Sequence, residues 1–520
     1  MLSPIDIATI AASLLLVVYV ALRAAGKKAS DTEYFLAGRD LSWPFVGMSL
    51  FVTNISAEHV IGLAGDAYRI GMVAGGYEWI AAWDLIILAT LFAPLYLRSK
   101  VFTIPEFLEH RFGWSLRAFL SANLLLINVL TKNAIALWAG SLLFTMLFDW
   151  NQTLVILLLS AFTVLYTIKG GLRAVVYADM IQGTWLILGG VILALAGLMK
   201  VGGWGGLLSQ TPAPMLQMVK PLDHELPVTG FFVSNFLAAM FYWCMDQTNV
   251  QRVLGARSIG DGQKGAIFAG FLKLTTPFIL VLPGLIARVL YPNLDRYDSA
   301  YPQLVRGLLP VGLRGVVLAG LIAALTSSVS ACYNSSATLV VRDFVLRFRP
   351  AISEQRQVTI GRWVTVMIAV LSVLAAPLVG LSVTIWHYLQ FVSAYLSVPM
   401  SAAIFIGLLW KRANLLGALS AVSMGFATAL LCFLDQTLGW RLSVLSHPNL
   451  NSFLHRSLIV WIVSCLAMVG VSLATQPPEL NKVRDYVFGG SIHSWEGLAD
   501  YRTWALALLV CTIALWWSFR

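Results

Sequence analysis

Runs of about twenty apolar residues recur along the whole of this 520-residue chain, each long enough to cross ~30 Å of hydrocarbon as a helix. Nothing constrains the fold more, because within lipid only helices and closed barrels satisfy their own backbone polar groups. Fourteen such runs are read, near 4–22, 43–70, 72–97, 117–147, 152–168, 174–199, 228–248, 263–292, 312–341, 357–379, 382–409, 413–434, 454–475 and 502–519. Charged residues make up 12% of the chain, about half the share usual in a soluble domain. The longest gaps, near 200–227 and 292–311, leave little room for a soluble domain. The expectation is an all-α integral membrane protein.

The net charge of +10 is spread over loops rather than gathered on one face. With the N-terminus outside, most bases fall in inside loops, among them Arg23, Lys27, Lys28, Arg39, Arg98, Lys100, Arg252, Arg257, Arg342, Arg347, Arg349, Lys411 and Arg412. That is the positive-inside bias; with an even span count both termini face out. A basic surface for nucleic acid would be clustered instead, so no nucleic-acid partner is expected. No base precedes the first apolar run, which reads as a retained helix rather than a cleaved signal. The five cysteines, Cys244, Cys332, Cys432, Cys465 and Cys511, all fall in spans without paired spacing, so neither a disulfide framework nor a zinc site is suggested.

Inside the spans stand Asn54, His59, Glu78, Lys132, Asp179, Lys273 and Gln390. An ionised group at the centre of a spanning helix costs roughly 2.5–3.5 kcal/mol on insertion scales, so these side chains are expected to face a bundle interior or a wet cavity. They point to a solute pathway. No P-loop, HExxH, GxSxG or strand-borne GxGxxG motif occurs. Gly202-Gly203-Trp204-Gly205-Gly206 lacks the Lys and Ser/Thr of a phosphate loop and reads as a surface connection. The reading is a transporter rather than an enzyme; uphill transport would draw on an ion gradient.

The second run carries Thr53-Asn54-Ile55-Ser56-Ala57-Glu58-His59 in its middle. Asn and Ser compete for backbone hydrogen bonds, and transporters use mid-membrane helix breaks to expose carbonyls to ions and substrates. The plainer alternative is an unbroken helix whose Asn and Ser bond to neighbours. In the ninth run Ala324, Ser327 and Ser328 stand at i, i+3 and i+4 with Ser330 close by, so two hydroxyls and a carbonyl share one helix face. Neutral oxygens suit a small monovalent cation, whereas calcium and magnesium recruit carboxylates; small residues on such a helix are also ordinary packing surface.

Several longer stretches combine with these patterns: Tyr34-Phe35-Leu36-Ala37-Gly38-Arg39; Thr103-Ile104-Pro105-Glu106-Phe107-Leu108-Glu109 with Arg111-Phe112; Gly170-Gly171-Leu172-Arg173-Ala174-Val175; Tyr242-Trp243-Cys244 with Asp246-Gln247 and Gln251-Arg252; and Leu309-Pro310-Val311-Gly312-Leu313-Arg314-Gly315. From about Tyr34 to Arg412, and again in the last run, the chain resembles the sodium/solute symporter family, and within it the sodium–glucose cotransporter branch. The resemblance implies a LeuT-like five-plus-five inverted repeat with about 14 transmembrane helices. Residues 1–42 would be an extra helix and inside loop, 43–200 the first repeat, 201–412 the second, and 413–520 peripheral helices.

It also implies a site. Sodium would be held by carbonyls of Val52, Ile55 and Ala324 and hydroxyls of Ser327 and Ser328; Val52 stands where relatives often have Ala. A hexose would meet Asn54, His59, Glu78, Tyr242, Trp243, Lys273 and Gln390. Mixed donors and acceptors suit sugar hydroxyls, two aromatic faces suit the ring's C–H side, and Glu78 and Lys273 could pair. Singly, His59 or the aromatics would read as packing; seven together carry the sugar reading. Lys132 matches a Thr-Lys motif of the branch, but Ala136 replaces the acid often found four residues on, and the unusual Asp84 is offered as its compensating partner. A second sodium would use Asp179 with Ser327 and Ser330; Ala331 stands where the fullest site has Ser, leaving one or two ions open. The expected function is sodium-coupled symport of a glucose- or galactose-like monosaccharide across the plasma membrane by alternating access. The alternatives are inositol, sialic acid or another polar cargo, or a sodium-independent uniporter or channel. Asn151-Gln152-Thr153 fits a glycosylation sequon, and 342–362 reads as an inside loop near anionic lipid.

Overall fold

A computed structural model describes residues 3–25, 30–56, 58–222, 224–380, 385–438, 452–489 and 497–520. Among them the chain is helical, and a single bridge between Leu41 and Ala256 is its only β pairing. The principal helices are α1 (Pro4–Ala24), α2 (Trp43–Asn54), α3 (His59–Ile70), α4 (Met72–Ser99), α5 (Trp114–Met146), α6 (Gln152–Lys200), α7 (Gly230–Cys244), α8 (Gln247–Leu254), α9 (Ile259–Leu290) and α10 (Leu313–Phe348). They continue as α11 (Glu354–Val379), α12 (Ile385–Leu409), α13 (Leu415–Leu438), α14 (Phe453–Ala474) and α15 (Tyr501–Ser518).

Nine helices among the described residues are long and apolar enough to cross a bilayer, or ten when α2 and α3 count as one bent span. Fourteen is not reached by that measure, partly because α6 runs through two of the expected spans. It bends at Gly171 (φ 54, ψ −147), a conformation open essentially to glycine alone. A Cβ there would meet the backbone of Tyr34, and one on Gly170 would meet Ala174, so neither position has room for a side chain.

α10 lies at the centre, buried along nearly its whole length, and packs on α6, α1 and α11. Asp6 ties α1 to its start: one carboxylate oxygen accepts from the backbone N–H groups of Gly312 (2.7 Å) and Gly315 (3.0 Å), at a helix N-terminus. Two helices are interrupted. α2 and α3 meet at 65° across residues 55–58, and α7 stops before Asp246, whose carboxylate accepts from the backbone N–H of Thr248 (2.8 Å) to start α8.

Three loop readings change. Arg252 is buried in α8, where it donates to Ser49 Oγ (3.3 Å) and to the Thr248 carbonyl. α10 and α11 together leave only a short turn of the expected 342–362 loop, and Arg342 is ion-paired with Asp31 (2.8 Å) rather than turned to lipid. The glycine-rich patch enters a short helix, Gly203–Gln210, with Gly202 and Gly203 turning the chain at positive φ (90 and 78) ahead of Trp204-Gly205-Gly206.

Candidate functional site

The break between α2 and α3 opens onto an internal cavity of about 150 Å³. That is below the ~300–1,000 Å³ of drug-sized pockets, room for a small molecule only. Of the seven residues expected to meet the solute, six line it: Asn54, His59, Glu78, Tyr242, Trp243 and Lys273. Gln390 falls on α12, but its side chain lies outside the described residues.

Asn54, His59, Tyr242 and Trp243 sit beside the two helix breaks, and Glu78 and Lys273 come from the continuous helices α4 and α9. Asn54 ends α2, and His59 opens α3 on a widened turn, His59–Leu63, the kind of local over-wide turn found at functional sites. Lys273, fully buried on α9, donates to Glu78 Oε2 (2.5 Å) and to the side-chain carbonyl of Asn54, and stands 5.4 Å over the Trp243 ring. The pairing expected of Glu78 and Lys273 is therefore present. Asn54 Nδ2 donates to Tyr242 Oη (3.1 Å). Tyr242 and Trp243 stand edge to face with centroids 5.3 Å apart. Ser56 Oγ lies 3.3 Å from His59 Nδ1.

A second ion pair borders the same cavity. Lys132, on the widened turn Ile127–Asn133, reaches Asp246 (2.5 Å) and lies 5.2 Å over the Tyr242 ring. Its partner is thus Asp246 at the α7–α8 break, and the proposed compensation by Asp84 is overturned. Asp84 is fully buried in an apolar cluster, and neither carboxyl oxygen has a hydrogen-bond partner among the described residues. Thr248 extends the polar chain to Asn128 (3.3 Å) and Ser335 (3.1 Å). Sequence reasoning gave Asp246 and Thr248 no role. The Asp-x-Thr spacing of a helix start just after an aromatic run was the available signal.

The oxygens expected to hold sodium divide into two groups. Ser328 Oγ lies 2.8 Å from the Thr53 carbonyl, 3.2 Å from that of Ile55 and 3.3 Å from that of Ala324, a convergence of neutral oxygens at a helix break. Thr53 was not foreseen; Val52 is held in the last turn of α2, its carbonyl accepting from the Ile55 N–H (3.1 Å). Ser327 turns away and donates to Asp179 Oδ1 (2.6 Å), whose other oxygen accepts from Ser49. Ser330 donates to the Ser327 carbonyl (2.8 Å). Thr53, Ser56 and Ser328 also line the cavity, so the neutral-oxygen cluster and the paired charges share one space.

A sequence profile described as the sodium:solute symporter family matches residues 34–425. The sodium/myo-inositol cotransporter of Mus musculus is 33% identical over 541 aligned residues, spanning 93% of this chain and 75% of that protein. The sodium/mannose cotransporter of Bos taurus is 34% identical, spanning 92% of this chain and 88% of that protein. In fold, the chain is similar to a Na⁺-coupled sialic acid symporter solved in a substrate-bound outward-open state, with a TM-score of 0.81 at 22% identity, over 92% of this chain and 99% of the other.

Proposed function

The chain belongs to the sodium:solute symporter family, and from that premise we propose that this sodium-coupled, multi-pass membrane symporter carries a neutral polyol of monosaccharide size. The observation that carries the reading is charge balance: Lys273 is paired with Glu78 and Lys132 with Asp246, so neither lysine among the described lining residues is left unpaired for an anionic cargo. Glu58, a further acid on its wall, adds to that bias. A hexose such as glucose or galactose fits this chemistry, and so does a cyclitol, the cargo named for several relatives. A sialic acid would bring a carboxylate that neither paired lysine is free to receive.

In this reading Glu78 accepts from ring hydroxyls, Lys273 donates to them, Asn54 does both, and His59 and Gln390 complete the polar wall. Tyr242 and Trp243 present apolar faces to the C–H side of the ring. Sodium is carried at the neutral oxygens of Ile55, Ala324 and Ser328, with Val52 and Ser327 of the expected set completing the shell after a small rearrangement. Binding there would draw the α2–α3 break against α10 and so shape the solute wall; because each ligand favours the same arrangement, the coupling is reciprocal. The alternating halves are residues 43–200 and 201–412, each opening on an interrupted helix, with both termini outside the plasma membrane.

The test is uptake of radiolabelled glucose, galactose, mannose, myo-inositol and sialic acid by purified protein in liposomes, with and without an inward sodium gradient. Sodium-driven accumulation of one or more neutral polyols, lost in Glu78→Gln, is expected. Accumulation of sialic acid alone would reverse the cargo assignment, and gradient-independent flux would remove the coupling.

A further inference from the structure

A second and larger cavity, about 1090 Å³, lies apart from the solute site between the end of α4, the start of α9, the start of α15 and residues 484–489. Five bases border it, Arg98, Lys264, Lys411, Arg484 and Arg502, against the acids Asp485 and Asp500. Arg502 is ion-paired with Asp500. The other four bases are exposed, and among the described residues none of them has an ion pair. Between the bases, Leu91, Leu95, Ile259 and Phe488 form an apolar part of the wall, beside the polar Thr90, Ser99 and Gln263. Phe488 is held at its edge by a backbone hydrogen bond to the Leu408 carbonyl (2.8 Å).

The four unpaired bases come from four separate stretches of chain yet converge on one space. Positive-inside sorting scatters cations over a whole face and requires neither a cavity nor an apolar wall beneath them. Gathered cations repel one another unless an anion lies between them. Basic pockets between membrane helices on the inner side suit phosphate headgroups, with about 1 kcal/mol for each Lys or Arg near an anionic surface. The apolar part of the wall, Leu91, Leu95, Ile259 and Phe488, suits the start of the acyl chain of the same molecule.

We propose that this cavity binds the phosphodiester headgroup of an anionic phospholipid of the inner leaflet, with Arg98, Lys264, Lys411 and Arg484 as its cationic ligands. The proposal concerns a different part of the molecule from the solute site and does not depend on the cargo assigned there.

The test uses the full chain purified in neutral detergent and mixed with equal amounts of phosphatidylglycerol and phosphatidylcholine. Bound lipid is counted by native mass spectrometry, with and without millimolar inorganic phosphate. The expected result is retention of phosphatidylglycerol about tenfold or more over phosphatidylcholine, lost in Lys264→Gln/Lys411→Gln and kept in Lys264→Arg/Lys411→Arg. The charge-conserving pair separates loss of charge from loss of folding. Equal retention of the two lipids, or an undiminished preference in the Gln pair, would overturn the proposal. Displacement of the lipid by inorganic phosphate that itself remains bound would assign the site to a free anion and overturn it equally.

Discussion

Lys132 and Asp246 meet at 2.5 Å although 114 residues separate them, and the contact exists only because α7 breaks where Asp246 can start a new helix. Removing one member of such a pair leaves the other charge buried and alone, at a cost of about 3–5 kcal/mol. Lys132→Met and Asp246→Asn are each expected to lower the yield of folded protein and the uptake rate severely. The double variant should recover much of the loss, read as a non-additive melting temperature in a double-mutant cycle. Asp84 behaves in the opposite sense. A buried carboxyl without a partner costs about 1–3 kcal/mol relative to an apolar residue in the same place, so Asp84→Leu is expected to raise the melting temperature of the purified protein. A fall would show that Asp84 has a partner in another conformational state. The paired charges of Glu78 and Lys273 were legible as two ionisable residues in apolar runs that had to be reconciled. The partner of Lys132 was not, because Asp84 stood out as an unusual acid in an apolar run and nothing in a linear reading places Asp246 beside the fifth principal helix.

At the scale of elements, the α2–α3 break was written into the polar Thr-Asn-Ile-Ser-Ala-Glu-His run, whose side chains compete with helical backbone bonding. The α7–α8 break was masked by the aromatic, apolar residues that precede it, and its sign was only a capping Asp. Ser328 ties the first break to α10 by reaching carbonyls on both elements. Ser328→Ala should therefore raise the sodium concentration for half-maximal uptake about tenfold or more, roughly 1.4 kcal/mol, while solute transport at saturating sodium is affected far less. An unchanged sodium dependence would move the ion elsewhere. The bend of α6 rests on one residue. Gly171→Ala would place a side chain in a region essentially reserved for glycine, at about 1–3 kcal/mol, and drive its Cβ into Tyr34. Loss of monodisperse protein on size-exclusion chromatography is the expected outcome, with Gly205→Ala, where the backbone is helical and a Cβ meets nothing within 4 Å, as the milder comparison.

For the molecule as a whole, class and family could be read from hydropathy and from long ordered motifs. The division of helices could not, since a continuous helix bent at a glycine and a pair of short helices at a break look alike as apolar runs. Nor could the number of ions be read, and here the arrangement of oxygens bears on energetics. One charge moving down 100 mV supplies ~2.3 kcal/mol and a tenfold sodium gradient ~1.4 kcal/mol, so a single ion sustains a solute ratio of roughly several hundredfold and a second ion squares that limit. At Asp179 both carboxylate oxygens already accept hydroxyls, from Ser327 and Ser49, and the Arg252 guanidinium donates to Ser49 at 3.3 Å. A cation arriving at Asp179, Ser327 and Ser330 would have to turn those hydroxyls away and approach a buried positive charge, without the extra hydroxyl that Ala331 lacks. The Ser328 cluster presents neutral oxygens with no cation beside them. One sodium per cycle is therefore expected. In liposomes held at zero voltage with a tenfold sodium gradient, net solute flux should vanish against an opposing solute gradient of about tenfold; a balance point near one hundredfold would require a second ion. In that case Arg252→Met, by removing the competing charge, should strengthen the second site rather than leave it unchanged.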